Sequence, residues 1–95
     1  MAKSKAKKML DEMLENDAEL KQFIDVYNER LDAALALVQL REEEGLSQRA
    51  LAEKAGKTQA TIARIENGNM NPTFKMMNEI AAGVGKKVKI EFVKA

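Results

Sequence analysis

Gln59, Ala60, Thr61 and Arg64 stand close together in the chain and offer groups that read the edges of base pairs. An Arg grips guanine O6 and N7 in bidentate fashion, a Gln does the same for adenine, and short Ala or Thr side chains meet thymine methyls. Around them lie groups suited to a phosphate backbone. Gln48 and Thr58 stand where helices open, and free N–H groups at a helix start favour anions. Lys57, Asn67, Asn69, Asn71 and Lys75 flank the same stretch. The plain alternative is a set of solvent-exposed polar residues on a helical hairpin, and the elements beneath them decide between the two.

Other chemistry is poorly served. The chain has no Cys and no His, which removes a disulfide framework and the usual zinc ligands. Ser4 and Ser47 are its only serines, and Ser47 is explained as a helix cap. Asp11 and Glu15 are i, i+4 neighbours on a face expected to be exposed, with no sign of the burial that a general acid–base pair needs. The six methionines suit gap-filling in a core. No enzyme activity, metal or cofactor is expected.

Residues 48–67, QRALAEKAGKTQATIARIEN, carry the spacing of two crossed helices joined by a tight turn. Ala52 lies four residues after Gln48, where a small side chain lets the second helix approach. Gly56 falls at the turn, where a left-handed backbone is cheap without a Cβ. Ala50, Leu51 and Ala55 face inward from the first helix, and Ile62 and Ile65 from the second. Gly45 stops the preceding helix, Ser47 caps the first motif helix and Thr58 the second. Thr73 caps a further helix with Phe74, Met77, Ile80, Ala81 and Val84 on its buried side, frayed and ended by Gly83 and Gly85. This is the pattern of a DNA-binding helix-turn-helix, whose second helix enters the major groove.

The net charge of +1 hides a segregation. Residues 1–10 hold four lysines and no acid, residues 11–44 hold eleven acids against three basic residues, and residues 45–95 hold nine basic residues against four acids. The middle segment is thus net −8 and the last net +5, which suggests two different partners, one of them polyanionic. A solvated helix face is the alternative for the acidic run. Residues 5–15 read as a short helix. Asp17 caps the next, whose apolar positions run from Leu20, Phe23, Ile24 and Tyr27 to Val38 as one long helix or two broken near Asn28. The stripe Leu20, Phe23, Ile24, Tyr27 is longer than a small core requires and is a candidate partner-binding surface; packing against the rest of the chain is its alternative. No apolar run approaches the roughly 20 residues of a membrane span, no secretory signal follows the basic start, and a cytoplasmic protein is expected.

From Lys86 the chain alternates polar and apolar, with Val88, Ile90 and Phe92 on one face, a strand pattern. A lone strand leaves its backbone unpaired, so it is expected to pair in a homodimer or with a partner's sheet. The expected fold is mainly α, a small helical bundle containing a helix-turn-helix, with one C-terminal β-strand. Its divisions are an N-terminal helical extension at 1–30, the helix-turn-helix domain at 31–85 and the strand at 86–95.

Leu46-Ser47-Gln48, Leu51-Ala52, Gly56, residues 62–68 (IARIENG), Asn71-Pro72 and Ile80-Ala81 resemble the Xre/Cro-repressor helix-turn-helix family. The resemblance implies that Gln48 binds phosphate while Gln59, Ala60 and Arg64 read bases. It also implies a structural ion pair between Arg41 and Glu66. Ala60 departs from readers that place a long polar side chain there, which leaves DNA shape a share of the recognition. The N-terminal extension with Phe23 and Tyr27, together with the Gly-Lys-Lys-Val-Lys-Ile tail, looks like the HigA-type antitoxins of toxin–antitoxin modules. That narrower resemblance implies a dimer on a palindromic double-stranded DNA operator and a basic, RelE-like mRNA-cleaving toxin as protein partner. A stand-alone phage-type or metabolic repressor, and a protein-only helical interaction module, are the other readings.

Overall fold

The structure is a computed structural model that describes residues 9, 11, 12 and 17–95. The helix expected over residues 5–15 lies outside the described residues except at Met9, Asp11 and Glu12, which are helical. Four helices follow: α1 (Ala18–Glu43), α2 (Gln48–Ala55), α3 (Gln59–Glu66) and α4 (Phe74–Ala82).

Local chemistry explains where each helix starts. Asp17, Ser47, Thr58 and Thr73 all have extended backbones, and each side-chain oxygen accepts from a backbone N–H three residues on. Such caps contribute about 1 kcal/mol apiece. The α1 segment holds neither Pro nor Gly, so Asn28 does not break it and residues 18–43 form one helix. At 26 residues it is about 39 Å long and sets the 45 Å long axis of the molecule. Gly56 ends α2 with φ 67°, and the Lys57 N–H returns to the Ala52 carbonyl.

The body is built on Leu37, Leu51, Ala52, Ile62, Ile65 and Ile80. The side chains of Leu37, Leu51, Ile62, Ile65 and Ile80 are no more than 1% exposed, and each contributes about 1.5–3 kcal/mol by burial. The C-terminal half of α1, α2, α3 and α4 surround this core. Gly83 is needed for a close approach rather than for its backbone freedom: its φ is an ordinary −60°. A Cβ there would lie 2.7 Å from the Lys54 carbonyl oxygen and 2.8 Å from the Ala55 Cα. The end of α4 therefore packs backbone to backbone on the end of α2.

Two expectations need correction. Phe74 is 49% exposed. It shares the stripe of Ile80 and Ala81 by spacing but stands in the first turn of α4, at the opposite end from the tight contact at Gly83. The C-terminal strand through Val88, Ile90 and Phe92 is also absent: residues 86–95 have no regular structure, and no strand occurs among the described residues. Alternation shows which residues share a face but supplies no second strand to pair with. Instead the Val88 N–H donates to Asn78 Oδ1 at 3.1 Å, and Lys86 Nζ lies 3.7 Å from Glu43 and 3.8 Å from Glu44. No helix among the described residues is long and apolar enough to cross a membrane.

Candidate nucleic-acid interface

The buried face of α3 dictates its outer one. With Ile62 and Ile65 in the core, the intervening positions turn to solvent. Gln59, Ala60 and Arg64 are exposed, while Thr61 and Ala63 are half-buried. Among the described residues Arg64 and Lys75 form no ion pair, so both guanidinium and ammonium are available. Thr58 spends its hydroxyl at the helix start, accepting from the Thr61 N–H at 3.1 Å and lying 2.9 Å from the Thr61 hydroxyl. The first N–H groups of α3, at Gln59 and Ala60, have no intrahelical partner and face solvent at the same end. Lys57 leans 3.5 Å from Glu79, and Asn67, Asn69, Asn71 and Lys75 are exposed around the body.

One cluster ties this surface together. Arg41, near the end of α1, donates through Nε and Nη2 to the two Glu66 carboxylate oxygens, both at 2.9 Å. Its Nη1 donates to the Leu46 carbonyl at 3.1 Å, just ahead of the α2 cap. The hydrogen bond from Glu66 and its charge hold the Arg41 guanidinium above its ordinary pKa against the opposing effect of burial, so Arg41 stays cationic. Glu66 closes α3 with a side chain only 4% exposed. Such a pair is better suited to fixing helix geometry than to adding net stability. Gln48 joins it, its Nε2 donating to Glu66 Oε1 at 3.2 Å. Sequence reasoning placed Gln48 on phosphate alone. It missed this link, which spans 18 residues and depends on how α2 and α3 cross.

The candidate partner-binding stripe divides in space. Phe23 is 70% and Tyr27 48% exposed, whereas Leu20 and Ile24 are half-buried. Among the described residues, Phe23 and Tyr27 instead line one groove together with Glu19, Gln22, Val26 and Arg30. Val26, at spacing i+3 from Phe23, belongs to this exposed face although it lies outside the Leu20, Phe23, Ile24, Tyr27 stripe.

A family model described as helix-turn-helix, HTH_3, matches residues 37–89, more than half of the chain. The chain belongs to the HTH_3 helix-turn-helix family. This is a family of DNA-binding transcriptional regulators, not of enzymes. An uncharacterised HTH-type transcriptional regulator of Haemophilus influenzae is 35% identical over 63 residues, covering 66% of this chain and 64% of that protein. Another from Methanothermobacter thermautotrophicus is 38% identical over 47 residues, covering 50% of this chain and 68% of that one. Among solved structures, an HTH_3 family transcriptional regulator from Vibrio cholerae superposes with a TM-score of 0.62 at 31% identity. The match takes in 65% of this chain and 35% of the Vibrio one, so the chain spans only about a third of that protein. A toxin–antitoxin module from Streptococcus pneumoniae superposes with a TM-score of 0.57 at 26% identity, covering 98% of this chain and 97% of that one.

Proposed function

We propose that this HTH_3 protein is a transcriptional repressor that reads a two-fold symmetric operator as a homodimer and also neutralises a basic toxin of the RelE-like class. The observation that carries the DNA half is the surface of α3. Arg64 and Gln59 are exposed on a helix whose other face is wholly buried, and α2 crosses behind it. Arg64, Gln59, Ala60 and Thr61 contact base edges. Gln48, Lys57, Thr58, Asn67, Asn69, Asn71 and Lys75 contact phosphates. Two copies set their recognition helices roughly 34 Å apart, one turn of DNA.

Support for the toxin half comes from the other end of α1. Phe23, Val26 and Tyr27 are uncovered apolar side chains within a segment of net −8, and the Streptococcus pneumoniae structure is a toxin–antitoxin module matched along nearly the whole chain. Aromatic anchors supply affinity and the acidic surroundings speed encounter with a basic protein. Residues 1–30 serve as the partner-binding arm and 31–85 as the DNA-binding domain. The division is one of function, since α1 runs unbroken through position 30.

Titration of the operator at fixed salt tests the DNA half. Arg64→Ala weakens binding by about 1–3 kcal/mol and relaxes preference at one base position. An Arg64→Ala protein as tight and as selective as the parent means that α3 is not the reading helix.

A further inference from the structure

We propose that Glu66 is a positioning residue of the DNA interface: its carboxylate fixes the Gln48 side-chain amide so that the second Nε2 hydrogen faces a phosphate. The inference rests on the reading of Gln48 as a phosphate contact and goes beyond it. Glu66 Oε1 accepts from Gln48 Nε2 at 3.2 Å and from Arg41 Nη2 at 2.9 Å, while Oε2 accepts from Arg41 Nε at 2.9 Å. A free glutamine amide turns either its oxygen or its nitrogen toward a neighbour. A carboxylate accepts only from the nitrogen, so Glu66 selects one of the two orientations. With one Nε2 hydrogen held by Glu66, the other diverges from it and remains to donate. Gln48 is the first residue of α2, so this donor stands beside the free backbone N–H groups of that helix start.

An acidic group beside a polyanion needs an explanation, and Arg41 provides one. Its bidentate bond neutralises Glu66, which then serves as an oriented acceptor without adding net negative charge at the phosphate. Arg41 is in turn held by the Leu46 carbonyl, so the acceptor itself is fixed relative to α2. The placement of Glu66 thereby converts a flexible surface Gln into a preset phosphate donor, and less rotamer freedom is lost when DNA binds.

The sign of one substitution separates this role from a purely structural one. Glu66→Gln deletes a negative charge near DNA, which by itself tightens binding. Positioning demands the reverse. The full chain is titrated with a mixed-sequence duplex of about three helical turns at fixed salt. Glu66→Gln is expected to bind about three- to ten-fold more weakly, the size of one lost hydrogen bond, and equally so on any sequence. In a Gln48→Ala background the same change is expected to produce no further loss. Unchanged or tighter binding by Glu66→Gln, or an equal loss in both backgrounds, overturns the proposal. Because the substitution also loosens the Arg41 clamp, a second measurement uses the unaltered protein. Side-chain 15N relaxation is expected to show the Gln48 amide well ordered and the exposed Gln59 amide mobile; equal mobility overturns the proposal. A parent protein that binds no duplex removes the phosphate reading too, whereas parental binding with an indifferent Glu66→Gln removes only this inference.

Discussion

Ile62 and Phe23 are both large apolar side chains on helices of one small chain, yet Ile62 is wholly buried and Phe23 is 70% exposed. The difference marks two regions. In the helix-turn-helix body each helix start is capped by its own chain, and the apolar stripes of α1, α2, α3 and α4 meet in one core. In the distal half of α1 only the start is capped, by Asp17, and Phe23, Val26 and Tyr27 are 70%, 38% and 48% exposed. The body answers to physics internal to the chain. The arm carries apolar area that stays exposed, and the proposed partner contact is what gives that area a role.

The sharpest way to break this contrast is to remove a buried side chain from the body. Ile62→Ala is expected to destabilise the protein by about 2–5 kcal/mol in chemical denaturation, since a residue with no exposure leaves a cavity that its neighbours fill only in part. Tyr27→Ala, on the arm, is expected to stay within about 0.5 kcal/mol of the parent. Similar losses at the two positions erase the distinction between body and arm.

The second test moves to the partner. If the arm binds a toxin as proposed, Phe23→Ala weakens that complex by about 2 kcal/mol or more, the scale of an interface hot spot, while operator affinity and unfolding stay unchanged. Calorimetric titration of the two purified proteins measures it. A loss of operator affinity of the same size instead assigns Phe23 to the body.

How far each region is legible in the sequence follows from the range of its interactions. Ser47, Thr58 and Thr73 were readable because a cap is a bond across three residues. Gly56 was readable because its left-handed turn is a property of its own backbone. The Gln48–Glu66 bond and the packing of Gly83 on Lys54 and Ala55 were not, since both depend on how separate helices cross. The sequence marks Gly83 only as a helix-ender. Its close approach makes a stricter demand: Gly83→Ala is expected to destabilise the body by about 1–3 kcal/mol, because the atoms a Cβ would meet are backbone and cannot swing aside. A thermal unfolding midpoint unchanged by that substitution contradicts the close contact. The tail fell between these cases. Its alternation is real, but a strand needs a second segment, and the Val88 N–H donates to the Asn78 side chain instead.

Removing the arm whole is expected to change the stability of the body little, and it is the most discriminating test of the two-region picture. Removing residues 1–30 takes away Phe23, Val26 and Tyr27 and shortens α1 before Leu31, whose Cδ2 lies 3.7 Å from where a Cβ on Gly68 would stand. Ala34 and Leu37, the buried residues of α1, remain, as does Arg41 with its clamp on Glu66. The new helix start lacks Asp17, a loss of about 1 kcal/mol that Asp32 offsets in part by lying near the positive end of the shortened helix dipole. The truncated protein is therefore expected to fold, to unfold within about 1 kcal/mol of the parent, and to bind operator with nearly the parental affinity while losing its protein partner. Circular dichroism melts, an operator titration and a pull-down with purified toxin check the three parts. A truncated chain that fails to fold makes the arm a structural element of the body, and one that still neutralises the toxin moves the partner surface elsewhere. Intact folding with intact operator binding and no toxin binding is the one combination that leaves the arm as a separate surface borne on a helix shared with the body.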